Sequence, residues 1–177
     1  MKITALTILC AGAALAQAPA GGNPTIAEFK QNYTAVKNNL IRMAEKMPAE
    51  DYEYKPVKEI RSFAALMVHI ADAQMRTCTM LNSGSAKSTD AGDKTAKDVV
   101  VAALKASFDE CDKAWDSTTD ANAFQMMAGR GGQRSRLGTL AFMTAIHNSE
   151  EYGYGAMYLR TKGMVPPSSD TAGRGSR

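Results

Sequence analysis

The sequence predicts an all-α protein, a four-helix bundle, on three observations. Four stretches repeat apolar residues at alternating steps of three and four, the spacing of one buried helical face. Residues that start or stop helices bound each stretch. No stretch sustains the period-two alternation expected of a half-buried strand.

The first stripe runs through Ile26, Phe29, Tyr33, Val36, Leu40, Met43 and Met47. Thr25 with Glu28 reads as its capping box, and Pro48 stops it. A connector over 49–61 leads to Ser62, the predicted N-cap of a second helix with the stripe Phe63, Leu66, Ile70, Ala73, Thr77 and Met80. Asn82-Ser83-Gly84 ends that helix. After a polar segment, Thr95 with Asp98 opens a third helix through Val101, Leu104, Phe108, Cys111 and Trp115. A loop over 117–134 follows. Ser135 then caps a fourth helix with the seam Leu137, Leu140, Thr144, His147, Glu151, Tyr154 and Tyr158, stopped by Gly163 and Pro166-Pro167.

The N-terminus reads as a secretory signal peptide over 1–18. Lys2 precedes an apolar run from Ile3 to Leu15, too short for a membrane span, and the small residues Ala14, Ala16 and Ala18 suit cleavage. Leu9 ahead of Cys10 fits a lipoprotein signal poorly. The remaining 159 residues suit one domain, with the bundle expected over 19–167 and a polar, disordered tail over 168–177. The expected location is periplasmic or secreted. A net charge of +3 implies neither a nucleic-acid face nor a basic membrane patch, and no membrane span is expected. Arg130-Gly131-Gly132-Gln133-Arg134-Ser135-Arg136 lacks interleaved aromatic residues. It reads as a loop whose last residues solvate a helix start, not as a nucleic-acid site.

Chemistry is expected where ionisable groups face the core. His147 and Glu151 lie one turn apart on the seam of the fourth helix, and His69 flanks the apolar stripe of the second by about 60° at roughly 100° per residue. A buried carboxylate must be protonated, paired or bound to a cation. Two imidazole nitrogens and a carboxylate oxygen suit a divalent metal with positions left open for water or substrate. The plainer readings are a satisfied core histidine and a Glu151 paired with an arginine. Asp72 is a candidate to orient His69 from behind, although pairing with Arg76 at i+4 on the helix surface is the better expectation. Glu150 is the remaining candidate acid-base group, with its side chain expected near solvent.

Three segments carry a resemblance to a known family. They are Met47-Pro48-Ala49-Glu50-Asp51-Tyr52, then Arg61-Ser62-Phe63 leading to His69-Ile70-Ala71-Asp72-Ala73-Gln74, and His147-Asn148-Ser149-Glu150-Glu151-Tyr152-Gly153. Together with Leu159-Arg160, Lys162-Gly163 and Pro166-Pro167-Ser168-Ser169, they make the chain resemble the DinB-like (YfiT-type) metalloenzyme family over nearly all of its length after the signal. The resemblance implies an up-down-down-up bundle. It also implies a divalent metal, commonly zinc or nickel, held by one histidine of the second helix and a pair spaced i, i+4 on the fourth. Those positions fall on His69, His147 and residue 151, which here is glutamate where the family pattern expects histidine. A carboxylate in that set favours harder ions, so iron and manganese join zinc and nickel as expectations.

Cys78 and Cys111 remain after the signal, an even count in an oxidising compartment. Each lies 16 residues beyond its helix's starting residue, Ser62 or Thr95, and so about 24 Å along. Equal heights require parallel helices, a crossover that the connector over 83–94 can span at about 40 Å, and that agrees with the topology the resemblance implies. A Cys78–Cys111 disulfide is therefore expected, against two buried free thiols.

Three functions compete. One is a metal-dependent enzyme, a hydrolase or a thiol transferase, and export disfavours the transferase because its low-molecular-weight thiols are mainly cytosolic. The second is a non-catalytic module binding a metal or small ligand, altered at position 151. Nucleic-acid binding is the weakest. The expected partner is a small molecule, and the chain is also compatible with a homodimer.

Overall fold

The structure is a computed structural model that describes residues 22–129 and 132–170. The expected signal peptide and residues 171–177 of the expected tail lie outside the described residues. Four helices account for most of the rest: α1 (Pro24–Lys46), α2 (Phe63–Ser83), α3 (Lys97–Asp116) and a composite fourth helix. That last helix consists of α4 (Arg136–Leu140), a π-helical stretch (Ala141–His147) and α5 (Asn148–Thr161). No helix among the described residues is long and apolar enough to cross a membrane.

Helix boundaries follow local chemistry. Ser62 and Ser135 cap as predicted, their hydroxyls accepting from Ala65 N (3.2 Å) and Gly138 N (3.0 Å). Gly84 ends α2 in the left-handed conformation at φ 73°, where a side chain is disfavoured. Two expected caps are corrected. The helix α1 is capped by Asn23, whose Oδ1 accepts from Thr25 N at 2.9 Å, with Pro24 in the first turn, so Thr25 lies inside the helix. The cap of α3 is Ala96, because the Thr95 hydroxyl donates to Glu53 Oε1 at 3.0 Å.

Cross-helix contacts give the topology. Pairs between α2 and α3 rise together along both helices, Gln74 with Ser107 and Cys78 with Cys111, so these two run parallel. Pairs between α1 and α3 run oppositely, Lys30 with Asp116 and Glu45 with Lys105. Leu81 with Arg136 and Gln74 with Asn148 likewise set the fourth helix antiparallel to α2. The bundle is up-down-down-up.

A crossover makes α2 and α3 parallel, and Asp72 holds it. The connector runs back along α2, with Lys87 N donating to Thr79 Oγ1 (2.9 Å), then Thr89 N and Oγ1 donating to Asp72 Oδ1 at 2.9 and 2.6 Å. Asp72 therefore neither backs His69 nor pairs with Arg76, whose Nη1 donates to Ser88 Oγ at 3.3 Å. The Cys78–Cys111 disulfide closes the parallel pair, with Cα atoms 5.0 Å apart.

The loop expected over 117–134 contains a hairpin, β1 (Met126–Gly129) and β2 (Gly132–Ser135), with Met126 opposite Ser135 and Gly129 opposite Gly132. At four residues each, the strands are too short to show a period. Arg136, expected on a solvated helix start, is buried. Its guanidinium donates to Leu81 O, Ala114 O, Thr118 Oγ1 and Ser117 Oγ, occupying carbonyls near the ends of α2 and α3. The tail expected to be disordered from Ser168 is ordered through Asp170: Pro167 is buried, Ser168 N donates to Tyr152 OH (2.8 Å), and Lys46 pairs with Asp170 at 3.0 Å.

Reduction of the disulfide, or Cys111→Ser, is expected to lower unfolding stability by about 3–4 kcal/mol for a closed loop of this size. Urea unfolding with and without reductant measures it, and Cys111→Ser should remove the reductant's effect.

Candidate metal site

Buried polar side chains are few, and one line of them runs between α2, α3 and the fourth helix. Glu151 is among the few charged residues that are buried, at 7 % relative exposure. Its Oε1 lies 3.4 Å from His69 Nε2 and 3.5 Å from His147 Nε2. One potential ligand atom from each of the three residues lies within 4.8 Å of the others. The three groups singled out from the sequence thus converge. His147 is partly buried and His69 more open, with 31 % of its side chain exposed, so the cluster has a solvent-facing side.

Both separations exceed an ordinary hydrogen bond and are compatible with a cation between the groups. An N–H···O bond is most often about 2.9–3.0 Å long. Two ligands each about 2.0–2.1 Å from a tetrahedral ion sit about 3.4 Å apart. Burial, and then the positive charge of Arg61, lowers the pKa of His69 more than the Glu151 carboxylate raises it. His69 is therefore held toward its neutral form, the form that coordinates a metal. Two imidazole nitrogens and one carboxylate oxygen form a donor set that could hold a metal ion.

Sequence reasoning missed the support behind His147. Gln74, Ser107 and Asn148 are each fully buried. The Ser107 hydroxyl donates to Leu104 O (2.7 Å), so its oxygen accepts from Gln74 Nε2 (2.6 Å). Gln74 Oε1 then accepts from Asn148 Nδ2 (2.8 Å), which turns Asn148 Oδ1 toward His147 Nδ1 at 3.3 Å. Each donor assigns the next acceptor. The chain ends with a proton on Nδ1 and the lone pair of His147 on Nε2, the atom facing Glu151. Gln74, two residues from Asp72, lies just off the stripe drawn for the second helix. Its signal was a polar residue one turn before Cys78.

The π-helical stretch presents both His147 and Asn148 to the interior. Beyond it, Asn148 and Gly155 face the core together with the expected Glu151 and Tyr158, while Tyr154, expected on the seam, is 53 % exposed. Gly155 lets α1 approach, since a Cβ there would meet Met43 Sδ. Glu150, the candidate acid-base group, is exposed. Its Oε1 accepts from Tyr154 OH at 3.1 Å on the helix surface, so the structure does not bring it into the cluster.

Two openings flank the cluster. A cavity of about 680 Å³ is lined by Glu151 with Ile60, Arg61, Leu66, Tyr154 and Met157 among others. One of about 510 Å³ is lined by His69 and His147 with Arg76, Arg134, Thr139 and Phe142 among others.

Comparison with known proteins agrees with this architecture. The sequence profile of the DinB superfamily matches residues 32–153, a span that includes His69 and runs past Glu151. This chain belongs to the DinB superfamily. The crystal structure of a DinB-like protein from Bacillus cereus ATCC 10987 superposes with a TM-score of 0.68 at 14 % identity, covering 80 % of this chain and 95 % of that one, so the superfamily fold is shared. No curated protein matches the sequence. This DinB superfamily member therefore carries a His-His-Glu cluster that could hold a metal ion.

Replacing Asn148 with leucine leaves Gln74 Oε1 and His147 Nδ1 without their partner. The expected results are a stability loss of about 1–3 kcal/mol and a mixture of His147 tautomers where the native protein has one. Two-bond ¹⁵N–¹H NMR on metal-free protein reads the tautomer directly.

Proposed function

We propose that this protein is an exported hydrolase of small molecules that depends on a divalent metal held by His69, His147 and Glu151. The observation that carries the reading is the buried Glu151 oxygen at 3.4 and 3.5 Å from two imidazole nitrogens, with cavities on either side. Zinc or nickel is the favoured ion, and the carboxylate makes iron and manganese competitors. A bound ion supplies Lewis-acid activation of water and of the substrate's polar oxygen. The remaining work belongs to the chain. His147 is oriented by Asn148, Gln74 and Ser107, and Leu66 and Met157 offer apolar surface beside Glu151. In the net reaction water's oxygen bonds to the electrophilic centre, the bond to the leaving group breaks, and the proton passes to the leaving group.

Export is supported by the N-terminal sequence and by the Cys78–Cys111 disulfide, which suits an oxidising compartment. It also favours hydrolysis over transfer of a cytosolic thiol. The outward position of Glu150 supports a second reading, a binding module that takes up the metal without turnover.

Metal analysis of protein recovered from the periplasm is expected to find about one ion per chain, with His69→Ala and His147→Ala reduced to trace levels. Glu151→His should retain zinc at least about ten-fold more strongly against a chelator. Chelator-sensitive turnover within a panel of esters, amides and phosphates supports the hydrolase. Metal uptake without turnover leaves the binding module, and equal trace metal in every variant removes both readings.

A further inference from the structure

Lysine supplies the basic partner of every ion pair among the described residues apart from those of His69 and His147. None of the described arginines takes part in one. Arg76 and Arg134 share the wall of the 510 Å³ cavity with the two histidines, and no carboxylate lines that wall. Each guanidinium is nevertheless steadied by a neutral neighbour. Arg76 Nη1 donates to the Ser88 hydroxyl at 3.3 Å, and Arg134 Cζ lies 4.5 Å above the centre of the Phe142 ring. Such contacts order a guanidinium and leave its charge in place. Thr77 and Thr139 add hydroxyls to the same wall. Two guanidiniums without a carboxylate at ion-pair distance make this wall a concavity whose electrostatic complement is an anion.

We propose that this cavity seats an oxyanion group of the substrate, a carboxylate or a phosphate, bound directly by Arg76 and Arg134. The inference rests on the hydrolase reading for the position of the reacting bond, which then lies over His69, His147 and Glu151. Planar guanidinium groups suit this role because they bind carboxylate and phosphate oxygens in pairs. The second opening has a different character. Pro56, Ile60, Leu66 and Met157 give it apolar surface beside the same cluster, alongside the charged Glu59, Arg61 and Glu151. The substrate class that matches both sides is a small organic anion, with its charged end among the arginines and its apolar body against Ile60 and Met157.

Calorimetric titration of the purified protein with hexanoate, butyl phosphate and uncharged hexan-1-ol tests the inference, in chelator-treated and zinc-supplemented samples. At least one anion is expected to bind ten-fold or more tightly than the alcohol, and the tighter anion identifies the head group. Arg76→Gln and Arg134→Gln should each weaken that anion at least ten-fold. Arg42→Gln, on the exposed face of α1, should not, and circular dichroism checks that every variant folds. Anion binding that persists in His69→Ala, where metal is lost, separates the arginine seat from the metal reading. Equal binding of alcohol and anions, or unchanged affinity in both glutamine variants, overturns the proposal.

Discussion

The constraint on which the site depends is the burial of the Glu151 carboxylate. An ionised carboxylate taken out of water loses several kcal/mol of hydration, which only opposite charge and hydrogen bonds can offset. Here its near neighbours are imidazoles, and one of them, His69, is biased by burial and by Arg61 toward neutrality. A shared cation would resolve the conflict by satisfying the carboxylate and both lone pairs together. Protonating both rings would instead place two more positive charges close to Arg61 and Arg76.

The scaffold is arranged to keep that convergence in register. Parallel α2 and α3 require a long crossover, and the structure fastens it at several points: Thr79 and Asp72 along α2, Glu53 of the connector before α2, which holds Thr95 just ahead of α3, and the disulfide deeper in the pair. Arg136 then joins the ends of α2 and α3 to the start of the fourth helix. From that anchor the π-helical stretch turns His147 toward the cluster and Asn148 toward Gln74. Fold and site therefore share parts. The polar chain from Ser107 to His147 crosses three helices, and its net stabilisation depends on every member being satisfied.

Much of this was legible from spacing. The three-four rhythm located four helices, and the equal heights of Cys78 and Cys111 implied the parallel pair before any topology was known. His147 and Glu151 at i, i+4 announced two groups on one face. What stayed hidden depends on contacts distant in sequence. Asp72 looked like a surface partner for Arg76, because nothing local reveals that Thr89 returns to it. Between Glu151 and Tyr158 the core takes Gly155 in place of the expected Tyr154, because Met43 of α1 packs against the glycine. Arg136 sat in a glycine- and arginine-rich stretch that reads as solvated, and only the carbonyls of two other helices explain its burial. Gln74 and Asn148 read as ordinary polar residues until each is seen to be the other's partner.

The most direct measurement is a crystal structure of the metal-loaded protein with anomalous data collected on both sides of the metal's absorption edge. The account requires a single strong anomalous peak about 2.0–2.2 Å from Nε2 of His69, Nε2 of His147 and a carboxylate oxygen of Glu151. Data showing Glu151 joined directly to an imidazole, with no peak between the three side chains, would contradict it.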